Sequence, residues 1–339
     1  MRKTVLMLLA FIATGSLMGQ ETLNKVVNTL KERITLSGYA QLGYTYNDAN
    51  GPDNTFDVKR IIFMADGKIT DQWSCYFMCD FAGGGNLLEV YTGYKFLPQL
   101  TARLGQFKTP YTIENLLSPS TVELINCYAL PVSYLAAING SDRLCASNGG
   151  RDIGLMVYGD LFKNNLLTYK LAVMNGQGIN TKDKNNQKDI VGYLMVNPLK
   201  WLSVGGSFIK GKGYAMADSN LSDIKAGENY NRNRWSMGAV LTAAKASLRT
   251  EYLAGKDGSI NSNGFYATGC AQVLPKLEVI ASFDYFNRNT EVGDKQSNYI
   301  AGLQYWFYPK CRVQAQYTRQ EPKLGEGSNL IQAQVQVRF

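Results

Sequence analysis

Histidine is absent from all 339 residues. That removes the Ser-His and Cys-His nucleophile systems and every histidine-dependent metal site. Long apolar runs are absent too. The run from Val5 to Ala13 has nine residues, well short of the ~20 a membrane-crossing helix needs. No later segment is apolar enough to replace it. The six cysteines, at 75, 79, 127, 145, 270 and 311, show no C-x-x-C metal spacing. Clusters of Lys and Arg are missing as well. A net charge of +8 spread over this length is too diffuse for a nucleic-acid protein. A metal, an organic cofactor and a catalytic triad are therefore not expected, and neither is a nucleic-acid partner.

What is present begins at the N-terminus. Arg2 and Lys3 precede the Val5–Ala13 run, and small uncharged residues follow up to Gln20. This is the layout of a secretory signal peptide, assigned to residues 1–19, with cleavage after Gly19 preferred to cleavage after Gly15. No cysteine stands at the exit to carry a lipid. Losing Arg2 and Lys3 leaves 33 basic against 27 acidic residues, a net charge of +6. In the 20–32 leader, Leu23, Val26, Val27 and Leu30 follow helical spacing. A short periplasmic helix and a frayed leader both fit. Export permits disulfides, and Cys127 and Cys145 are the candidate pair because one loop holds both.

The rest of the chain alternates. In the last segment Ile331, Ala333, Val335, Val337 and Phe339 alternate with Gln332, Gln334, Gln336 and Arg338. The segment before it sets Cys311, Val313, Ala315 and Tyr317 against Arg312, Gln314, Gln316 and Thr318. A period of two with one apolar and one polar face is a strand between lipid and water. An Arg facing lipid at mid-bilayer costs ~2–4 kcal/mol, so Arg312 must face inward. Counting back gives sixteen strands, starting near residues 33, 55, 72, 86, 100, 151, 165, 187, 201, 232, 245, 262, 276, 296, 310 and 328. Short connections alternate with long ones at 47–54, 109–150, 176–186, 211–231, 255–261, 287–295 and 321–327. The expected fold is all-β: a closed antiparallel transmembrane β-barrel over 33–339, with both termini periplasmic. The mean hydropathy of −0.19 suits a barrel in which only alternate residues meet lipid. A soluble β-sandwich is the rival.

Proline and aromatic residues test the count. All nine prolines, at 52, 98, 110, 119, 131, 198, 275, 309 and 322, fall in the expected turns or loops, as a ladder that needs N–H donors requires. Trp73, Phe96, Trp201, Phe307, Tyr308 and Phe339 crowd the expected periplasmic ends, as an interfacial girdle would.

Three stretches carry a family likeness. They are Arg103-Leu104-Gly105-Gln106-Phe107-Lys108-Thr109-Pro110-Tyr111 with Glu114, then Gly150-Arg151-Asp152-Ile153-Gly154, then Asn175-Gly176-Gln177-Gly178 with Lys188-Asp189. In these the chain resembles the phosphate-selective porins O and P. The resemblance implies a sixteen-stranded trimeric channel of a Gram-negative outer membrane, with its third loop folded into the lumen. The residues point the same way: 109–150 far exceeds the ~12–15 residues usual for an unstructured loop. It also contains apolar stretches such as Val132–Ile138. An external lid is the other reading.

The candidate pore-lining and constriction residues are Arg60, Arg103, Lys108, Glu114, Arg143, Arg151, Lys170, Arg249 and Arg312. Acids are interspersed: Asp66, Asp80, Glu89, Glu251, Glu278 and Asp284 on the walls, and Glu114, Glu123 and Asp142 in the loop against Arg143 alone. No convergence of cations is legible, so a phosphate-specific site is not expected. The Gly206–Lys212 stretch has a G-x-x-x-x-G-K skeleton, but Gly213 stands where Ser or Thr is needed. The amide-rich loops 47–51 and 183–189 lack full calcium-ligand spacing. The expected function is passive diffusion of small hydrophilic solutes or ions, weakly selective and leaning to anions, without catalysis. A phosphate or polyphosphate channel and a non-conducting adhesin or scaffold are the alternatives. Membrane lipid, a homotrimer and the barrel-assembly machinery are the expected partners, with Phe339 as the assembly signal.

Overall fold

The computed structural model describes residues 32–138, 149–219 and 222–339. The expected signal peptide, all but the last residue of the 20–32 leader, and Arg143 and Cys145 lie outside them.

Sixteen strands run in chain order: β1 (Ile34–Asn47), β2 (Asp53–Lys68), β3 (Trp73–Asp80), β4 (Asn86–Leu97), β5 (Leu100–Lys108), β6 (Arg151–Leu161), β7 (Leu167–Met174) and β8 (Asp189–Leu199). They continue as β9 (Leu202–Tyr214), β10 (Asn229–Thr242), β11 (Ala246–Asp257), β12 (Ile260–Leu274), β13 (Leu277–Asn289), β14 (Asp294–Tyr308), β15 (Cys311–Pro322) and β16 (Ser328–Arg338). Among the described residues between β5 and β6 are two short helices, α1 (Ile113–Leu116) and α2 (Leu130–Leu135). Each strand pairs antiparallel with its sequence neighbours, and β1 pairs with β16 to close the barrel. Closure leaves no edge, so backbone polar groups are paired where no water could meet them.

The alternation read from sequence is the alternation seen. Ile331, Val335 and Val337 face out, while Gln332, Gln334 and Gln336 are buried on the inside. Arg312 is inward and almost fully enclosed. An even strand count puts both ends of the barrel chain at one end, with the connections 69–72, 98–99, 162–166, 200–201, 243–245, 275–276 and 309–310. We call this the turn end. Two of its turns place Pro275 and Pro309 before Lys276 and Lys310, which take positive φ of 68° and 63°. Proline presets the first turn position, and the next residue accepts the left-handed one.

Three details differ from the sequence reading. The connections expected at 255–261 and 287–295 shrink to 258–259 and 290–293, and that at 211–231 shrinks to 215–228. The strands continue beyond the apolar band with polar outward residues. In β10, Asn229, Asn231 and Asn233 face out while Tyr230, Arg232 and Arg234 are buried inside, and the first three residues, 229–231, read as loop because two of them are Asn. Second, Pro198 and Pro322 lie within β8 and β15, though only as penultimate and last residue. The β8–β9 register slips between Val196 and Leu199, where proline offers no donor. Third, the four cysteines outside the candidate pair read in the sequence as small apolar fillers, but two of them, Cys270 and Cys311, make polar contacts. The Cys270 thiol donates to Glu278 Oε2 at 3.7 Å, and the Cys311 thiol donates to Arg338 O at 3.6 Å.

Candidate functional site

The described part of the 109–150 connection, residues 109–138 and 149–150, meets the inner face of the barrel. Its hydrogen bonds reach inward side chains all round the wall. Thr112 N donates to Ser207 Oγ on β9 (2.9 Å), Ile113 N to Glu251 Oε1 on β11 (2.8 Å), and Leu130 N to Asp284 Oδ2 on β13 (3.2 Å). Ile125 N donates to Gln316 Oε1 on β15 (2.9 Å), Arg312 donates to Val122 O (2.8 Å), and Gln336 on β16 to Ser120 O (3.1 Å). Its apolar residues Tyr111, Val132 and Leu135 are fully buried against Met174, Val191, Ile209, Leu253 and Tyr266 of the wall. A large hydrophobic cluster of the barrel is thus this loop packed on the inner faces of β5–β9 and β11–β13. Apolar residues that would be awkward in water instead remove their surface from it.

The loop divides what remains of the lumen. On the turn side is a space of about 270 Å³ lined by Arg103, Lys108, Arg151, Lys170, Arg338 and Glu89 among others. Five basic side chains face one carboxylate. The expectation that no cations converge is corrected here. Strand register sets Lys108 directly beside Arg151, and the barrel's curvature brings in Lys170 from β7 and Arg338 from β16. Neither effect shows in a linear count of charges.

On the loop side is a space of about 530 Å³ whose lining includes Asp57, Lys59, Arg60 and Asp284, two charges of each sign. Lys59 was not singled out from the sequence. A β-bulge leaves it unpaired between Val58, opposite Leu42, and Arg60, opposite Gln41. A bulge lets two successive side chains share one face, so both cations point inward. A Cβ added at Gly43 would lie 2.6 Å from Lys59 Cε; glycine there leaves room for the lysine stem. The adjacent pairs Lys59-Arg60 and Ile61-Ile62 break the period of two, and that break was the available signal.

The remaining candidates divide into anchors and free charges. Lys108 Nζ donates to Asn115 O (2.7 Å), to Leu117 O and to Tyr128 Oη (3.3 Å), tying the loop's start. Arg249 bridges Glu114 (3.0 Å) and Glu123 (2.8 Å) of the loop. Burial pushes the Glu114 carboxyl up, and the Arg249 guanidinium and the Ala129 amide pull against it. Arg151 pairs with Glu89 at 2.9 Å. Arg103 stacks 3.9 Å over the Tyr91 ring and donates to Tyr158 Oη. Arg60 and Arg312 donate to Gln41 and Gln304. Among the described residues Lys170 makes no hydrogen bond or ion pair, and its ammonium stands 5.5 Å from the Tyr193 ring. Cys127 is buried, its thiol 3.6 Å from Ile125 O, and its expected partner Cys145 is outside the described residues.

The three stretches quoted for the family likeness meet in space. Asp152 accepts the amides of Gly176 (2.5 Å) and Gly178 (3.2 Å), and Arg232 joins Asp189 (2.6 Å) to Gly176 O (2.7 Å). Gly176 and Gly178 have positive φ, which glycine alone takes freely. The motif fastens the 175–188 loop to the wall. Its role is that of a structural clasp.

Comparison with known proteins agrees with this architecture. No curated protein matches the chain by sequence. Among solved structures it is similar to an anion-selective porin from Comamonas acidovorans, at 15% identity and a TM-score of 0.68 over 90% of this chain and 99% of that one. It is also similar to OmpT of Vibrio cholerae (12% identity, TM-score 0.63, 90% and 97% covered). The outer membrane channel DcaP of Acinetobacter baumannii is a third (10% identity, TM-score 0.65, 90% and 97% covered). The family model of the phosphate-selective porin O and P matches residues 34–339, from the first strand to the last residue. This chain belongs to the phosphate-selective porin O and P family, the porins of Gram-negative outer membranes.

Proposed function

We propose that this porin passes small hydrophilic solutes by diffusion with a modest lean to anions, set in the turn-side space beneath the third loop. One observation carries the reading: five basic side chains and one carboxylate line that space. Fixed charges lining a water-filled passage bias which ions enter, and the solved anion-selective porin of similar fold supports the same direction. The bias stays modest because Lys108 and Arg151 are engaged by loop carbonyls and Glu89. That leaves Lys170 and Arg338 as the more available cations, screened within ~8–10 Å at working ionic strength.

A phosphate-selective channel is the second reading, favoured by the same convergence. It needs several donors on one oxyanion, and most of these donors already have partners. Reversal potentials across a planar bilayer in a potassium chloride gradient separate the readings. A weak anion preference unaffected by phosphate is expected. Strong anion preference with chloride current blocked by low phosphate would favour the phosphate channel and overturn weak selectivity.

The reading includes removal of residues 1–19, trimeric assembly and recognition of terminal Phe339 by the insertion machinery. The layout of the first twenty residues, the family and the exposed last ring support these in turn. Catalysis has no part in the reading: the chain lacks histidine, and the inward carboxylates of Glu251 and Asp284 are taken up by loop amides.

A further inference from the structure

The outer wall of β9–β12 carries a groove that passage through the lumen does not use. Along β10 the outward residues from the turn end are Leu241, Ala239, Met237 and Trp235, and then Asn233. The apolar band therefore ends at Trp235, beside which register places Phe208 on one flank and Ala254 on the other. In the next row toward the loops, Lys210 stands beside Asn233, and Asn233 beside Lys256. A hollow of about 710 Å³ opens over these two rows, with Ala254 too small to fill the place beside Trp235.

Three features give the hollow a chemical preference. Lys210, Asn233 and Lys256 are exposed, and among the described residues neither lysine's ammonium has an ion-pair or hydrogen-bond partner. No carboxylate residue is among the described residues that line the groove. Neighbouring strands are about 4.8 Å apart, so the two lysine backbones are separated by about 10 Å. Two lysine stems can close that distance onto one anion above Asn233. The depth matters as much as the charge. A barrel's apolar band ends in aromatic residues at headgroup level, so the first cationic row beyond Trp235 and Phe208 lies where lipid phosphates lie.

We propose that this groove holds the phosphorylated headgroup of an outer-leaflet glycolipid. Lys210 and Lys256 take the phosphate, the Asn233 amide donates to it or to the adjoining sugar, and Trp235 and Phe208 pack against the first acyl carbons. The leaflet assignment rests on the porin reading, in which the loop end faces outward. Charge complementarity selects this occupant over an uncharged lipid, which would leave both ammonium groups unmatched.

The test uses the full purified barrel in detergent and native mass spectrometry. The probes are a bisphosphorylated glycolipid and the same lipid dephosphorylated. One phosphorylated molecule should be retained per barrel. The K210S/K256S double variant should retain a tenth or less, a loss of at least about tenfold, while its single-channel conductance stays that of the parent. Unchanged conductance shows the variant is folded and keeps the porin reading separate from this one. Equal retention of the dephosphorylated lipid, equal retention by the double variant, or displacement by millimolar inorganic phosphate would each overturn the proposal. So would disulfide-linked dimers of Asn233→Cys formed without glycolipid, which would make the groove a contact between copies. Labelling of Lys225→Cys on intact cells by an impermeant thiol reagent is expected; its failure would put the groove in the wrong leaflet.

Discussion

Arg249 and Lys170 are both inward cations, yet the residue scale separates them. Arg249 holds two loop carboxylates, Glu114 and Glu123, and Glu114 has no exposed surface. Arg249→Ala strands a buried carboxylate, a change that typically costs about 3–5 kcal/mol. The heat-modified gel shift of the barrel should then occur at clearly lower temperature, and single-channel traces should become noisier as the loop loosens. Lys170 makes no hydrogen bond among the described residues, so Lys170→Ala should change stability by no more than about 0.5 kcal/mol while moving the reversal potential toward cations. If Arg249→Ala shifted selectivity alone and Lys170→Ala destabilised the barrel, the division into anchor and free charge would be wrong. The sequence marks both residues as inward cations and no more. What separates them is whether the loop brings a carboxylate to meet them, and the contact between Arg249 and Glu114 spans 135 positions.

At the scale of elements, strands were legible because lipid on one side and water on the other force a period of two. Where lipid ends, that force ends, and so did the accuracy of the reading: residues 229–231 at the start of β10, two of them Asn, passed for loop. The bulge at Lys59 was hidden for a related reason, since one unpaired residue reverses parity and a linear pattern reports it only as a stutter. The closing seam, by contrast, was readable to its last residue. Phe339 exchanges backbone hydrogen bonds with Gly38 (3.0 and 3.2 Å), and its ring covers that glycine closely enough that a Cβ there would lie 2.7 Å from it. Deleting Phe339 removes two backbone bonds worth about 1 kcal/mol each from the seam that completes closure. Membrane-inserted protein should fall severalfold, and the channels that do insert should conduct normally, because the ring lies outside the lumen. Gly38→Ala, which crowds the ring and Ile62 O, should show the same defect more mildly. Quantifying folded barrel in outer-membrane fractions checks both, and undiminished insertion of the deletion would refute the assembly role.

The whole molecule is asymmetric along its axis, and that asymmetry is electrical. The third loop separates a loop-side space, where Lys59 and Arg60 are balanced by Asp57 and Asp284, from a turn-side space with five cations and Glu89. A passage with fixed positive charge at one end only accumulates anions there under one sign of voltage and depletes them under the other. Its current–voltage curve should therefore rectify. The effect requires that the charge reach across the passage, so it depends on screening: the Debye length is ~10 Å at 0.1 M salt and ~3 Å at 1 M. Oriented single channels should thus rectify at 0.1 M and conduct nearly symmetrically at 1 M. Lys170→Ala should flatten the low-salt curve, and Lys59→Ala, on the balanced side, should alter it far less. A curve that stays symmetric at 0.1 M, or one whose asymmetry persists at 1 M, would show that the turn-side cations do not set the passage. An asymmetry that persists at high salt would instead point to movement of the loop under voltage, which Arg249→Ala should exaggerate.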